Sequence, residues 1–179
     1  YRFVISTDVR DVVFQTNPSD WLEKNLKKEF IVSSENVLYK DEAWGTKNIL
    51  EGYGPLLLDR FKNSPSCNVG VLAGHSRSIK DLFLINYLIS QAGDTQHFTD
   101  QSSYNFLVNS DFMEGVTQYE DNTGNWAAQL GTMDNPNILN QRIFEVKDGF
   151  VMNNDEPFCI VHQYDRVPLI NNAISDKYR

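Results

Sequence analysis

Cysteine, positive charge and long apolar runs are all scarce in this sequence, and each shortage excludes a class of protein. Cys67 and Cys159 are its only cysteines, so it has no disulfide framework and no Cys-x-x-Cys motif. Both lie beside predicted strands, so we expect buried free thiols, with a single disulfide as the alternative. No apolar run approaches the roughly 20 residues of a membrane-spanning helix. The lack of an Asn-x-Ser/Thr acceptor with a permitted middle residue disfavours a heavily glycosylated protein.

Acidic residues outnumber basic ones by 24 to 16, which gives a formal net charge of −8. A protein with this balance repels nucleic acid and anionic membranes at long range. We therefore expect no nucleic-acid partner and no transmembrane segment. The 179 residues, 41% of them hydrophobic, suffice for one soluble domain with its own core.

An acidic pair lies between two apolar runs near the start of the chain. Phe3-Val4-Ile5 predicts a buried strand, Asp8 and Asp11 follow it, and Val12-Val13-Phe14 predicts a second strand. Open α/β sheets bind ligands at the carboxyl ends of their strands. Two carboxylates so close together need a compensating cation, and a hard divalent metal is the usual one. The alternative is a turn in which the two acids cap backbone amides and pair with Arg10.

The remaining pattern predicts an alternation of strands and helices. In the first half we expect a turn at Asn17-Pro18, a helix at Asp20–Lys27 and a strand at Phe30–Val32, which ends in the polar cluster Ser33–Asn36. A loop follows at 39–55, with one helical turn at Thr46–Glu51. After it we expect a strand at Val69–Gly74 and a helix at Ser76–Ser90 that Gly93 stops. In the second half we expect a helix from Thr99, a hairpin of Arg142–Val146 and Phe150–Met152 around Asp148-Gly149, and a strand at Phe158–His162.

The acidic stretch resembles the metal-binding motif of GT-A fold glycosyltransferases, in which Asp-x-Asp stands between an apolar strand and a short second strand. Here the acids are one residue further apart, in Asp8-Val9-Arg10-Asp11. The resemblance implies an α/β fold with a mixed, mainly parallel sheet flanked by helices. It also implies that residues 1–179 form one catalytic domain, or the C-terminal part of a longer one whose nucleotide-binding half precedes residue 1.

Three later segments are similar to GT-A motifs in the order that the family uses. Asn68-Val69-Gly70 is similar to a segment beside the donor sugar, and Asp100-Gln101, with Asn105 four residues after the glutamine, is similar to the helix start of retaining enzymes. His162 ends an apolar strand, where many GT-A enzymes return a histidine to the metal. The alternatives are a turn before a core strand, an ordinary acidic first helical turn and an ordinary hydrogen-bonded histidine.

The resemblance implies a divalent cation, Mn²⁺ before Mg²⁺, held by Asp11 and His162 with Asp8 in support. That cation would bridge the diphosphate of a nucleotide-sugar, with UDP favoured as the nucleotide. The other residues expected to bind the donor are Arg10, Asn68, Gly70 and Arg166. The resemblance is compatible with a location in the cytoplasm and with one in the Golgi lumen.

At the sugar, the resemblance implies that Asp100 and Gln101 orient the donor, which favours retention of anomeric configuration. The acceptor would be a saccharide or another hydroxyl compound. An inverting enzyme would instead need a carboxylate base, for which Glu35, Asp41 and Glu42 are available. Trp44 and Tyr53, in the same loop, would suit a sugar by stacking, and packing under the loop is the alternative for Trp44. A non-catalytic carbohydrate-binding or structural domain is the alternative function, and the spacing of the acids disfavours a phosphatase of the haloacid dehalogenase type.

Overall fold

The fold is known from a computed structural model, which describes residues 1–92, 99–137 and 144–178. The strands are β1 (Phe3–Thr7), β2 (Val12–Phe14), β3 (Phe30–Leu38), β4 (Pro65–His75), β5 (Thr117–Glu120), β6 (Ala127–Gln129), β7 (Glu145–Lys147), β8 (Phe150–Asn153), β9 (Glu156–Pro157) and β10 (Ile160–His162). The helices are α1 (Pro18–Asn25), α2 (Ala43–Tyr53), α3 (Pro55–Phe61), α4 (Ser76–Ser90), α5 (Thr99–Val108) and α6 (Pro168–Tyr178). The protein is therefore mixed α/β, as predicted.

The strands form three sheets, in the orders β1-β4-β3-β5, β2-β10-β6 and β7-β8-β9. Only the pairs β3–β5 and β6–β10 are parallel, whereas the other five pairs of the described chain are antiparallel. The prediction of a mainly parallel sheet is therefore wrong for the described residues. The reason is that a strand buried on both faces shows a continuous apolar run whichever direction its neighbours take, so such a run does not report orientation.

Two central strands are longer than predicted. β3 continues past Val32 to Leu38, so the polar cluster Ser33–Asn36 lies buried inside the strand and does not follow it. Its register against β4 shifts after Val32 and again after Ser34, as β-bulges do. Likewise β4 begins at Pro65, which places Asn68-Val69-Gly70 within a strand and not in a turn. Sequence reasoning missed both extensions because buried polar residues look like a loop.

Capping side chains correct two helix predictions. Asn17 accepts a hydrogen bond from the Ser19 backbone N–H, so Asn17-Pro18 starts α1 two residues before the predicted Asp20. The loop predicted at 39–55 is instead a 3₁₀ turn, the eleven-residue helix α2 and the start of α3. The Glu42 carboxylate caps α2 at the Trp44 and Gly45 backbone N–H groups. Glutamate is an uncommon N-cap, which is why this start was not predicted.

Other predictions are confirmed. Helix α4 has its predicted bounds, and both cysteines are buried and free. The hairpin β7–β8 turns at Asp148 and Gly149, whose φ angles of 54° and 75° fit the left-handed turn that Asp-Gly favours. The predicted helix stop at Gly93 and the hairpin residues 142–143 lie outside the described residues.

Both faces of the first sheet are covered. Val32 and Leu72 pack on one face with α4 and α5, and Ile31 and Val71 pack on the other against Trp126 and neighbouring residues of the second sheet. This packing holds the second sheet beside the first. The ends of β1, β3 and β10 carry polar side chains. No helix of the described ranges is both long and apolar enough to cross a membrane.

We expect Gly74→Ala to destabilise the fold by about 1–3 kcal/mol, the usual cost of overpacking. A Cβ at Gly74 would lie 2.5 Å from Phe30 Cβ and 2.6 Å from the Glu29 carbonyl oxygen, so β3 and β4 would have to separate. Gly115→Ala is the matched control, because a Cβ there meets nothing within 4 Å. Urea unfolding of both variants checks this, and equal stabilities would contradict the proposed close contact of the strands.

Candidate functional site

Three elements bring the predicted metal ligands together. Asp8 follows β1, Asp11 precedes β2, and His162 is the last residue of β10. Because β10 is antiparallel to β2 with His162 opposite Val12, the imidazole lies beside Asp11. Asp8 is anchored by its backbone N–H, which donates to the Gly70 carbonyl oxygen at 2.9 Å.

The geometry of the three side chains fits a metal. His162 Nε2 lies 3.2 Å from Asp8 Oδ2 and 3.8 Å from Asp11 Oδ1, and all three ligand atoms lie within 4.8 Å of one another. Ligand atoms bound at about 2.1–2.3 Å to one cation are themselves about 3–4 Å apart. The cluster therefore needs little movement to coordinate an ion.

The environment of His162 favours a neutral ligand. Its side chain is 1% exposed, and this burial lowers the pKa of the imidazole, although the carboxylates of Asp11 and Asp8 oppose the shift. Nδ1 lies 2.7 Å from Gln129 Oε1, to which Nδ1–H donates. The lone pair of Nε2 then faces two carboxylates, an arrangement that a cation between them stabilises.

Gln129 is a partner of His162 that the sequence did not reveal. It is 1% exposed and lies opposite His162 in the parallel pair β6–β10. Its backbone is held at both ends by Asn122, whose Oδ1 accepts from the Gln129 N–H and whose Nδ2 donates to the Gln129 carbonyl. Residues 111–141 are polar and without clear period, so nothing in the sequence marked this glutamine.

Gly70 leaves room for the cluster. A Cβ at this position would lie 2.6 Å from His162 Cε1 and 2.7 Å from Asp8 Oδ2. The Gly70 N–H donates to Asn68 Oδ1 at 2.7 Å, and Asn68 Nδ2 donates to Glu35 Oε1 at 2.6 Å. The predicted segment Asn68-Val69-Gly70 thus connects the metal ligands with a buried carboxyl group.

Glu35 is that carboxyl group, and it is 6% exposed. Burial raises its pKa, while the hydrogen bonds from Asn68 and Ser66 oppose the shift. The Ser66 hydroxyl donates to Glu35 Oε2 at 2.9 Å. The Asn68 amide and the Ser66 hydroxyl together fix the orientation of the Glu35 carboxyl group.

A cleft of about 680 Å³ opens beside the cluster. Its walls are formed by Asp8, Glu35, Glu42, Trp44, Asn68, Val69, Gly70, Asp100, Gln101, Gly131, Thr132, Gln163 and Arg166. Six of the predicted site residues therefore share this cleft: Asp8, Asn68, Gly70, Asp100, Gln101 and Arg166. His162 contacts the same wall beneath Asp8 and Gly70.

Arg10 is not part of the cleft wall. Its side chain is 79% exposed and lies 3.5 Å from Asp165 Oδ2, while Arg166 Nε lies 3.5 Å from Asp165 Oδ1. Asp165 thus links the two arginines at the His162 side of the cleft. Of the candidate bases, Glu35 and Glu42 line the cleft and Asp41 does not.

The two aromatic residues that were predicted to stack on a sugar lie in different places in the structure. Trp44 lines the cleft and is 47% exposed, whereas the Tyr53 hydroxyl donates to the Ile89 carbonyl outside the cleft wall. Gln163 was not predicted either, and it adopts a left-handed φ of 59° in the wall. Such a conformation is uncommon for a side chain other than glycine and concentrates at functional sites.

Comparison with models of known protein families and with curated protein sequences finds no match for this chain. Its function has to be inferred from the chemistry of the cleft itself.

We expect Gln129→Leu to lower Mn²⁺ affinity about 10–100-fold, the usual cost of losing an outer hydrogen-bond partner of a metal ligand. Without the acceptor, the imidazole loses its fixed tautomer. Gln129→Glu keeps an acceptor at the same distance and should bind at least as tightly as the wild type. Electron paramagnetic resonance of free Mn²⁺ measures both, with circular dichroism to confirm folding. Equal affinity for a folded leucine variant would contradict this role.

Glu35 should make stability fall as pH rises. Because its folded pKa is raised above the value of 4.5, the native state holds the proton at pH values where the unfolded chain has lost it. The free energy of unfolding should therefore fall from pH 4.5 upward through the folded pKa, by about 1.4 kcal/mol for each pH unit that separates the folded pKa from the unfolded one. Urea unfolding across pH should show this decline in the wild type relative to Glu35→Gln. Parallel curves for the two proteins would contradict it.

Proposed function

We propose that this protein is a metal-dependent glycosyltransferase that moves a sugar from a nucleotide-sugar to a hydroxyl acceptor. One observation carries the proposal: two carboxylates and a buried imidazole converge beside a cleft whose wall also carries carboxyl and amide side chains that can hydrogen-bond hydroxyl groups. Such a cleft suits a substrate with a charged diphosphate at one end and a polyol at the other.

Asp11 and His162, with Asp8 in support, would hold the cation. Imidazole together with carboxylates suits Mn²⁺ better than Mg²⁺, which prefers oxygen ligands and retains water. A cation bound there supplies positive charge to the donor diphosphate and stabilises it as a leaving group.

Arg166 would bind the diphosphate at the same end. Its guanidinium lies in the cleft wall, and a guanidinium matches phosphate oxygens in a two-pronged geometry. Asp165, between Arg166 and Arg10, holds the arginine side chains near the cluster. Arg10 would contribute long-range attraction, because it lies outside the wall. Positive charge at this position stabilises the leaving group as its charge develops.

Asp100 and Gln101 would orient the donor sugar from the first turn of α5. Both line the cleft, and Asp100 is exposed there. A carboxylate and an amide at this point can accept and donate hydrogen bonds to sugar hydroxyls. The similarity of this pair to the helix start of retaining enzymes favours retention of the anomeric configuration, and Gly70 contributes by leaving room for the Asp8 and His162 side chains.

We expect Mn²⁺ to be required for nucleotide binding and Asp11→Asn to lower that binding at least about tenfold. Asparagine keeps the shape of Asp11 but removes the charge that binds the cation. Calorimetric titration of UDP and of GDP, in EDTA and then in Mn²⁺, measures the effect. Asp155→Asn is the matched control, because this exposed residue lies in the turn before β9, outside the cleft wall.

The outcomes separate the candidate functions. Binding that needs Mn²⁺ and is lost in Asp11→Asn supports the transferase. Binding of free saccharides without metal, unchanged in Asp11→Asn, would replace it with a non-catalytic carbohydrate-binding domain. Absence of binding to either nucleotide in Mn²⁺ would refute the proposal.

A further inference from the structure

We infer that the cleft accepts an uncharged, hydroxyl-rich sugar and discriminates against a sugar that carries a carboxylate. This inference rests on the proposed function and names the substrate class of the same cleft. It concerns the part of the cleft wall that is formed by Glu35, Glu42, Trp44 and Gln101 and is called here the sugar end.

The balance of charge in the cleft wall is the first observation. Four acidic residues line it: Asp8, Glu35, Glu42 and Asp100. Arg166 is the only lysine or arginine among the described residues of the wall, and it lies against Asp165 at the His162 end. Protein sites that bind carboxylates use arginine or lysine partners. The described sugar end offers none.

Glu35 is the second observation, because it is a built acceptor and not a mobile surface acid. Its two oxygens each accept one hydrogen bond, from Ser66 and Asn68, and it is 6% exposed in the cleft wall. A carboxylate has about four acceptor positions, so two of them stay available for hydroxyl protons. A hydroxyl can pair with Glu35 whether or not Glu35 is protonated, because a hydroxyl both donates and accepts, whereas a carboxylate has no proton to donate.

Gln101 is the third and independent observation. It is 9% exposed, and no side chain or backbone group of the described chain hydrogen-bonds its amide, although the residue lines the cleft. A ligand that both donates and accepts would pair with both the oxygen and the nitrogen of this amide. Hydroxyl groups do both, while a carboxylate only accepts.

Trp44 completes the sugar end with a half-exposed indole in the same wall. An aromatic face packs against the apolar C–H face of a sugar ring. The sugar end therefore combines an aromatic surface with hydrogen-bond acceptors and an amide. The negative charge of the cleft wall repels a carboxylate substituent on the sugar ring. Juxtaposed like charges across an interface cost several kcal/mol.

The experiment compares two ligands that differ in one substituent. UDP-glucose and UDP-glucuronic acid are titrated in Mn²⁺ by calorimetry, or GDP-mannose and GDP-mannuronic acid if GDP is the nucleotide that binds. UDP or GDP alone reports the diphosphate end. The variants are Glu35→Gln and Glu42→Gln, each of which replaces a carboxyl group with an amide and keeps a side-chain oxygen. Glu145→Gln, an exposed residue of β7 outside the cleft wall, is the matched control.

We expect the wild type to bind the neutral sugar at least about tenfold more tightly than the acidic one. Glu35→Gln and Glu42→Gln should narrow this ratio at least about threefold, with the affinity for the nucleotide alone unchanged. Glu145→Gln should leave the ratio as it is in the wild type. Should Glu35→Gln fail to fold, the wild-type ratio and Glu42→Gln decide the question.

Nucleotide binding that needs Mn²⁺, together with equal or tighter binding of the acidic sugar, would overturn this inference and leave the proposed function intact. A preference for the neutral sugar that neither folded variant narrows would also overturn it. Failure of UDP and GDP to bind in Mn²⁺ would refute both.

Discussion

The site depends on one buried nitrogen, Nε2 of His162, which faces two carboxylates. Holding it there fixes the position of several strands at once, because β2 brings Asp11, β6 brings Gln129 and the pairing of β1 with β4 brings Asp8 beside Gly70. A shift of one residue in β10 would turn the imidazole to the opposite face of its sheet. The register of the second sheet therefore places the imidazole where the candidate metal centre needs it.

Burial acts in opposite directions on the two titratable groups at the back of the cleft. It lowers the pKa of His162 and raises that of Glu35, so it pushes both groups toward their neutral forms. Asp8, whose side chain is 58% exposed, keeps its contact with water. Interactions with the remaining charges are strong because the surroundings have a low dielectric constant. The proposed discrimination among a phosphate, a hydroxyl and a carboxylate would rest on this small set of groups.

The sequence predicted which polar residues come together better than it predicted the architecture around them. The acids of the N-terminal stretch and the strand-end His162 were singled out because each follows an apolar run, whereas the start of α5 was singled out only by its similarity to a known motif. Strand orientation, the length of β3 and the helix α2 were not found, since apolar runs do not report direction and Glu42 is an unusual cap. Gln129 was missed for a different reason: its role arises only from the parallel pairing of β6 with β10, which links residues 33 positions apart.

The polar segment of β3 lowers the stability of the folded state. Ser33 Oγ and Asn36 Nδ2 are buried, and neither finds a hydrogen-bond partner within the described part of the chain. Each such group destabilises a fold by about 1–3 kcal/mol unless water or a ligand satisfies it. Apolar residues would pack more favourably along a central strand, so stability alone does not account for this polar segment. The same segment carries Glu35 to the cleft wall, where a fixed acceptor is useful only if a ligand binds there.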